Sequence, residues 1–419
     1  MERWMTKLTR SASEADRATE IRHALADKLV ADRRITSPAV ARAFRIVPRH
    51  LFVPDGTPLE VAYNDANSVA IKQDADGVVI SSTSAPFIQA RMIEQADLGP
   101  GMIVLEIGSG GYNAALVAEV VGSSGHVVSV DIDQEVVDMA RTRLAATGYG
   151  ERVTVVTVDA EHPVPQLDSP VDAIVVTVGA WDIAPAWLNQ LADGGTIVVP
   201  LRMNGVSRSI AFRRTADHWE SRSAEVCGFV PMQGEGAHAE RVFLLPDPNG
   251  HHVKLRFDSA DVPADMSLLD GVLATDRVET WSGVTIKNGV SFADLHLWFA
   301  SFLPGFCKLA AEDGTTLAAE RGSWFPFGVV RGDSFAYLAV RKTSDGTGAE
   351  FGTRAYGRSA DRAATPLVNS IKDWDQRARG RAEPTFAYWP NGTSQPEFGA
   401  ETAVVTKTHG LVSISWPSN

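Results

Sequence analysis

Cysteine is scarce in this sequence, and long apolar runs are absent. The two cysteines, Cys227 and Cys307, lie far apart without histidine or cysteine neighbours at metal-ligand spacing. This argues against a disulfide framework or a zinc site and predicts free thiols. No apolar stretch reaches the roughly 18–20 residues that span a bilayer, and the charged N-terminus has no apolar signal core. These absences favour a cytoplasmic protein without a membrane partner.

Clusters of lysine and arginine are also missing, and the formal net charge is −12. Such a balance argues against a nucleic-acid partner, because the phosphates would be repelled. The chain has 419 residues, which exceeds the usual size of one domain. Its 44% hydrophobic and 21% charged residues are ordinary for a globular protein. We expect two domains, and the oligomeric state stays open.

Short apolar runs alternate with helical periodicity across the first half of the chain. The predicted strands cover residues 102–107, 127–130, 153–158, 171–178 and 196–200, and the predicted helices cover 114–121, 134–146 and 183–191. Strands and helices that alternate in this way form right-handed crossovers and a parallel sheet. The expected fold class is α/β, a Rossmann-like, doubly wound and mostly parallel sheet, preceded by a helical stretch over residues 16–45.

The composition and the length of the predicted elements change after the first 237 residues. Residues 235–419 hold six of the ten tryptophans, many glycines and shorter elements. Helices are predicted at 292–303 and 363–378, and antiparallel strands within 335–340 and 403–414. We therefore predict one domain over residues 1–237 and an α+β domain over 238–419, which is a candidate for substrate binding but whose aromatic residues mostly fill its own core.

Predicted strand ends carry glycines and acids in a fixed order. The first strand runs into Glu106 and the glycines Gly108, Gly110 and Gly111, and the next two strands end at Asp131 and Asp159. Glycines let the backbone approach a ligand closely, and an acid at the second strand end can accept hydrogen bonds from ribose hydroxyls. Together these positions predict a nucleoside site.

The glycine spacing does not fit the G-x-G-x-x-G pattern that places a pyrophosphate on a helix N-terminus. The E-x-G-x-G form with a leading acid instead suits a cationic sulfonium cofactor without phosphate. The expected cofactor is S-adenosyl-L-methionine, with S-adenosyl-L-homocysteine as product.

Residues 16–234 resemble the protein-L-isoaspartate O-methyltransferase family. The matching stretches are residues 47–54 (VPRHLFVP), 62–65 (AYND), 84–86 (SAP), 104–110 (VLEIGSG), 172–177 (DAIVVT), 191–200 (LADGGTIVVP) and 229–231 (FVP). Two departures from the family are visible. The loop E-I-G-S-G-G-Y is one residue shorter than the family's usual form, and residues 71–80 form a longer, more acidic link into the serine segment.

The resemblance implies roles for individual residues. The family's active-site serine falls on Ser84 and its companion hydroxyl on Ser82, while the ribose and adenine acids fall on Asp131 and Asp159. Further cofactor contacts are implied for Ser81, Thr83, Gln89, Glu106, Gly108, Ser109, Gly110, Ile132 and Ala160. Two alternatives stay open: residues 81–84 as a polar loop that satisfies its own backbone, and Glu106 as an anchor for the amides of the glycine loop rather than a direct contact.

The implied reaction is methyl transfer to a carboxylate, which is already ionised at neutral pH, so that no general base is needed. Ser84 is therefore not interpreted as a covalent nucleophile, and the isolated His50 and His162 are interpreted as structural. A subgroup with a shortened loop and a C-terminal extension is associated with lanthipeptide-type biosynthesis, which implies methylation of an aspartate in a modified precursor peptide. The alternatives are a general isoaspartate repair enzyme and a non-catalytic module that only binds the cofactor.

Overall fold

The computed structural model describes residues 2–258 and 262–417, with side chains from residue 14 onwards. Two helices, α1 (Glu2–Ala31) and α2 (Pro38–Ile46), open the chain. The single helical stretch expected over residues 16–45 is interrupted between them. Ser37 is extended, because Pro38 disfavours helical geometry in the residue before it and starts a new helix itself.

Strands and helices then alternate as far as residue 226. These elements are, in chain order, α3 (Leu59–Ala62), β1 (Val69–Gln73), β2 (Val79–Thr83), α4 (Pro86–Ala96), β3 (Ile103–Ile107), α5 (Tyr112–Val121), β4 (His126–Asp131), α6 (Gln134–Ala146), β5 (Val153–Thr157), β6 (Val171–Val176), α7 (Pro185–Gln190), β7 (Leu191–Met203), β8 (Val206–Thr215) and β9 (His218–Val226).

Antiparallel strands dominate the remainder. The elements are β10 (Arg241–Pro246), β11 (His252–Phe257), β12 (Val278–Lys287), α8 (Ala293–Phe302), β13 (Phe306–Ala311), α9 (Thr316–Ala319), β14 (Trp324–Arg331), β15 (Ser334–Lys342), β16 (Gly348–Gly357), α10 (Ala360–Arg377), β17 (Thr385–Pro390), β18 (Thr402–Thr406) and β19 (Gly410–Ser415). Short 3-10 helices cover Arg49–Phe52, Gly234–Gly236, Met266–Leu269 and Val272–Ala274.

The larger sheet has ten strands in the order β5-β4-β3-β6-β7-β8-β9-β17-β19-β18. Strands β3 to β7 are parallel to their neighbours, and from β8 onwards the pairing is antiparallel. The order of the parallel strands reverses direction at β3, which is where doubly wound sheets form a crevice outside their carboxyl ends. This confirms the predicted α/β, Rossmann-like fold.

Alternate residues of the parallel strands face two different cores, as the pleat of a strand requires. On β6, Ala173 and Val175 pack with α2, α4 and α5, whereas Ile174 and Val176 pack into the opposite layer. Both faces are apolar, because helices cover a parallel sheet on both sides. None of the described helices is long and apolar enough to cross a membrane.

The C-terminal residues build the opposite layer. A seven-stranded antiparallel sheet in the order β10-β11-β13-β14-β15-β16-β12 packs with α10, while α8 lies against the larger sheet. Trp298 of α8 and Trp374 of α10 share one continuous core with Ile197 of β7. The two halves of the chain therefore bury apolar surface together.

The structure differs from the predicted division into residues 1–237 and 238–419 in one respect. β17 pairs with β9 through Ala387 opposite Glu220 and Tyr388 opposite Trp219, so that the larger sheet crosses the boundary. Without β17, the backbone N–H and C=O groups along this edge of β9 would be left unpaired. The division remains a prediction about sequence units, but the last three strands belong to the sheet of the first unit.

Candidate active site

A cavity opens at the carboxyl ends of the parallel strands. It is lined by residues 80–82, 107–110, 130–132, 158–160, 177–178 and 230–233, and we call it the strand-end cavity. Nine residues that the sequence analysis named line it: Ser81, Ser82, Gly108, Ser109, Gly110, Asp131, Ile132, Asp159 and Ala160. Seven of them lie together because parallel strands end at the same edge of a sheet, whereas Ser81 and Ser82 come from the separate strand β2.

The glycine loop, residues 108–111, is held against the neighbouring strand end. Gly108 has φ +95°, and a Cβ there would lie 2.7 Å from Oγ1 of Thr177 and 2.9 Å from Cγ1 of Val178. The Thr177 hydroxyl donates a 2.6 Å hydrogen bond to the carbonyl oxygen of Gly108. A side chain at position 108 would therefore force this loop away from β6.

Asp131 connects the glycine loop to the next strand end. One carboxylate oxygen accepts a 2.9 Å hydrogen bond from the Ser109 amide, and the other accepts one of 2.9 Å from the Asp133 amide. Burial raises the pKa of the Asp131 carboxyl. Each oxygen retains a second lone pair, so the carboxylate can accept hydrogen bonds from a diol in the cavity as well.

Asp159 is partly covered by the segment that follows β9. Its Oδ2 accepts a 2.9 Å hydrogen bond from the Glu235 amide, and its Oδ1 accepts one of 3.0 Å from the Glu161 amide. Gly234 has φ +78°, and a Cβ there would clash with the Asp159 carboxylate. This close approach makes residues 230–235 a wall of the cavity beside Asp159.

A β-hairpin closes the cavity from the other side. Strands β1 and β2 pair antiparallel, and Ile71 lies over the glycine loop, 3.3 Å from the position of a Cβ on Gly110. Lys72 fastens the hairpin, because its Nζ lies 2.6 Å from the Asp133 carboxylate at the start of α6. The inserted residues 71–80 are therefore part of this hairpin, and β2 brings Ser81 and Ser82 to the cavity.

Thr83, which follows Ser82 on the serine loop (residues 81–84), points away from the cavity. The Thr83 hydroxyl donates a 3.1 Å hydrogen bond to the carbonyl oxygen of Phe52, and Thr83 is buried. Gln89 is also buried, and its side-chain oxygen accepts a 2.8 Å hydrogen bond from Arg49. Thr83 and Gln89 do not line the strand-end cavity, because both side chains are used inside the protein, and the cofactor contacts expected from them stay predictions. Ser84 is half-buried and does not line the cavity.

Arg49 organises this loop and was not recognised as a functional residue in the sequence. Its guanidinium donates to the carbonyl oxygens of Thr83 and Ser84 at 3.3 and 2.8 Å. It is fully buried, and burial lowers its pKa to about 10. The motif VPRHLFVP contained the signal, but nothing local in that stretch shows that the arginine reaches the serine loop. Thr177 and residues 230–233 were likewise quoted only as parts of matching stretches.

Glu106 lies beneath the cavity and not in its lining. Its carboxylate accepts a 2.9 Å hydrogen bond from the Asn113 side chain and another from the Ser129 hydroxyl. It is fully buried, which raises its pKa to about 7. Glu106 does not line the strand-end cavity, and the carboxylate that accepts from the Ser109 amide of the loop is that of Asp131. The two roles expected of Glu106 stay predictions.

The chemistry of the cavity fits S-adenosyl-L-methionine. The hydroxyl of Ser109 is buried and has no hydrogen-bond partner among the described residues, so a bound molecule can supply one. Ile132 lines the cavity with 40% of its surface exposed and can cover an aromatic base. Two acids at neighbouring strand ends can accept from ribose and adenine donors. No His, Cys, Asp and Glu residues in residues 2–258 and 262–417 form a group of three suited to a metal ion.

Comparisons with known proteins agree with this geometry. Residues 20–237, just over half of the chain, match the family model of protein-L-isoaspartate (D-aspartate) O-methyltransferase. The chain is 37% identical to the protein-L-isoaspartate O-methyltransferase of Hyperthermus butylicus over 233 residues, covering 52% of this chain and 90% of that one. The enzyme of the same name from Methanopyrus kandleri is 37% identical over 221 residues, covering 52% and 94%.

A third relative, the protein-L-isoaspartate O-methyltransferase of Ignicoccus hospitalis, is 39% identical over 215 residues, covering 51% of this chain and 97% of that one. The family match falls on the half of the chain that forms the strand-end cavity. The chain therefore belongs to the protein-L-isoaspartate (D-aspartate) O-methyltransferase family and is an S-adenosyl-L-methionine-dependent methyltransferase.

Proposed function

We propose that this protein transfers the methyl group of S-adenosyl-L-methionine to the side-chain carboxylate of an aspartyl or isoaspartyl residue in a peptide. The observation that carries the proposal is the strand-end cavity, where Asp131 and Asp159 lie across from the hydroxyl-bearing strand β2. A site of this form can hold a nucleoside on one side and a small polar acceptor on the other.

The cofactor supplies an electrophilic methyl group on its sulfonium. Asp131 accepts from the ribose hydroxyls and Asp159 from the adenine amino group in this proposal, and Ile132 and Ala160 cover the base. The glycine loop and Ser109 lie beside the methionine end. Asp131 is well placed for its role, because its bonds to the Ser109 and Asp133 amides fix its orientation.

The protein's part in the chemistry is to aim the acceptor. A carboxylate with a reference pKa of about 3.9 is ionised at neutral pH, so the site needs no base to activate it. It has to bring one oxygen into line with the methyl group and exclude water around it. Ser82 lines the cavity and can donate a hydrogen bond to the other oxygen. Ser84 follows on the same loop, and Arg49 fixes the backbone at its carbonyl.

For the substrate, we propose a modified, lanthipeptide-like precursor peptide. The methyl ester would be attacked by the backbone nitrogen of the next residue, which loses its proton as methanol leaves and a succinimide ring forms. Hydrolysis of the ring then gives aspartate or isoaspartate. This role is supported by the resemblance to such enzymes and by the large C-terminal region. General repair of isoaspartyl proteins is the second candidate, since the relatives reported above are named protein-L-isoaspartate O-methyltransferases.

Mass spectrometry separates the two substrates. The protein is incubated with S-adenosyl-L-methionine and either a simple isoaspartyl peptide or a cyclised precursor containing an ordinary aspartate. Methyl gain followed by methanol loss in the precursor alone is expected. Equal methylation of the simple isoaspartyl peptide would favour repair, and failure of both substrates despite cofactor binding would contradict carboxyl methylation.

Replacement of Ser84 tests how the acceptor is positioned. The resemblance places the active-site serine of the family at Ser84. We expect Ser84→Ala to lower kcat/KM for the peptide about tenfold, because in this proposal the Ser84 hydroxyl also donates a hydrogen bond to the bound carboxylate and that bond is lost. Its affinity for S-adenosyl-L-homocysteine, measured by calorimetry, should stay within about twofold. Ser124→Ala is the control, since Ser124 is exposed and precedes β4 at the opposite end of the sheet. Equal losses of turnover and cofactor affinity in Ser84→Ala would contradict the role.

A further inference from the structure

A second opening lies next to the strand-end cavity, on the other side of the segment that follows β9. Pro231 lines both. We call the second opening the basic cleft, because Arg202, Arg208, Arg256 and Lys308 contribute to its lining. Arg202 stands near the carboxyl end of β7, so the cleft borders the same sheet edge at which the methyl group would lie.

Two of the four cations have carboxylate partners. Arg202 forms ion pairs with Glu240, at 2.9 Å, and with Asp258. Arg256 donates a 2.6 Å hydrogen bond to the same Glu240. The two carboxylates thus form ion pairs with the two arginines, and no carboxylate that the structure describes lies at ion-pair distance from the other two cations.

Lys308 and Arg208 are these unpaired cations. Among the described residues, neither has a carboxylate oxygen within the 4.0 Å of an ion pair. Arg208 is only 5% exposed, and its guanidinium donates to the carbonyl oxygens of Ser207 and Ala293. Burial lowers the pKa of both groups. Acids act on the two cations only from beyond ion-pair distance: Asp294 and Glu383 on Arg208, Glu240 and Asp258 on Lys308. Because a buried or half-buried charge without a carboxylate in contact is unfavourable, an anion that enters the cleft gains an interaction that the protein supplies only weakly.

His296 adds an unused polar atom to the same lining. Its ring stacks on Phe327 at 3.9 Å between centroids, and its Nε2 is buried without a hydrogen-bond partner in the described part of the chain. The rim of the cleft is apolar, since Val226 and Val242 line it and are 51% and 50% exposed. A cationic floor below an exposed apolar rim suits a peptide with acidic side chains better than a small inorganic anion.

We propose that the basic cleft binds acidic residues of the peptide substrate that flank the carboxylate to be methylated. This inference rests on the proposed function, because the peptide held in the cleft has to place its acceptor carboxylate in the neighbouring strand-end cavity. Charge complementarity supports it: the whole chain has a net charge of −12 and repels an acidic peptide at long range, whereas this one cleft attracts it.

The test compares two fluorescein-labelled peptides that share a central aspartate and differ in three flanking residues, glutamate in one and glutamine in the other. Binding is measured by fluorescence anisotropy with S-adenosyl-L-homocysteine present, which separates binding from methylation. We expect the native protein to bind the glutamate peptide about tenfold more tightly, and the difference to shrink at high salt.

Lys308→Gln is expected to remove most of this preference, and Lys308→Arg to retain it. Lys342→Gln is the matched control, because Lys342 ends β15 of the same sheet, is exposed and does not line the cleft. It should leave both affinities unchanged. Equal binding of the two peptides by the native protein, or an equal loss in Lys308→Gln and Lys342→Gln, overturns the proposal.

Methylation of the same peptides distinguishes a failure of the proposed function from a failure of the cleft proposal. If the glutamate peptide binds through Lys308 but no carboxylate gains a methyl group, the proposed function fails and the cleft remains an acidic-peptide site. If both peptides are methylated with the same KM by the native protein and by Lys308→Gln, the cleft proposal fails and the proposed function stands.

Discussion

The strand-end cavity and the basic cleft share a wall, yet they draw on differently distributed residues. The cavity uses backbone atoms and carboxylates at the ends of strands that follow one another in the chain, β3 to β6. The cleft uses long cationic side chains from β7, β8, β11 and β13, which lie in both sheets. The comparison teaches that the cofactor site belongs to the parallel fold, whereas the peptide-facing site depends on the C-terminal region.

The largest expected effect comes from deleting residues 385–419, which tests whether the cavity is independent of the C-terminal region. Tyr388, Ile414 and Trp416 are 1%, 0% and 4% exposed and pack into the core of the larger sheet. Losing such side chains costs about 2–5 kcal/mol each, which approaches the whole stability of a domain. We expect no cooperative thermal unfolding and no calorimetric binding of S-adenosyl-L-homocysteine.

The control for this deletion is a chain shortened by its last two residues only, which should unfold as the full chain does. If the chain lacking residues 385–419 instead stayed folded and bound S-adenosyl-L-homocysteine normally, the cavity would be independent of β17–β19. Only the basic cleft, and not the strand-end cavity, would then depend on the C-terminal region, despite the core that the two halves share.

Gly108→Ala tests the cavity alone. The new Cβ would meet Thr177 and Val178 in a backbone conformation that only glycine adopts readily. We expect the affinity for S-adenosyl-L-homocysteine to fall about 100-fold, with peptide binding at the basic cleft little changed. Gly122→Ala is the control, because Gly122 also has positive φ, +73°, but nothing lies within 4 Å of its Cβ position. Similar losses of cofactor affinity in both variants would argue against the close contact with β6.

The smallest expected effect is that of Glu106→Gln, which changes the pH dependence of stability and touches neither opening. Burial raises the folded-state pKa of Glu106 from 4.5 to about 7. Between these values the unfolded chain has lost this proton and the folded chain keeps it, so the native protein loses stability as pH rises from about 4.5 to 7. We expect the free energy of unfolding of Glu106→Gln, relative to the native protein, to increase by roughly 1 kcal/mol per pH unit over this range. Urea unfolding at several pH values measures it, and a difference independent of pH would contradict the shift.

Much of the cavity could be predicted because its signals are local. Asp131 and Asp159 directly follow apolar runs of strand length, and the parallel pairing of β3, β4 and β5 brings their ends together. The side chains of Thr83, Gln89 and Glu106 do not line the cavity, although the sequence places them close to it. A stretch of sequence shows that a residue is near a site, but the direction of its side chain depends on partners such as Arg49, forty residues away from Gln89 along the chain.

The larger sheet and the basic cleft show what local patterns leave out. The pairing of β17 with β9 joins Tyr388 to Trp219 across a long stretch of chain, and no periodicity in either strand encodes it. The lysines and arginines of the cleft are scattered singly along their strands, so the sequence has no basic cluster to find. Pro38, by contrast, was a readable signal that the first helical stretch is interrupted.

Pro231 lines both openings, and the Glu235 amide that donates to Asp159 follows it closely in the chain. Because this segment, residues 230–235, borders both openings, a displacement of the segment changes the shape of both. We therefore expect a substitution in residues 230–235 to change the kinetic constants for the methyl donor and for the acceptor together. The order in which the two molecules bind should then depend on this segment.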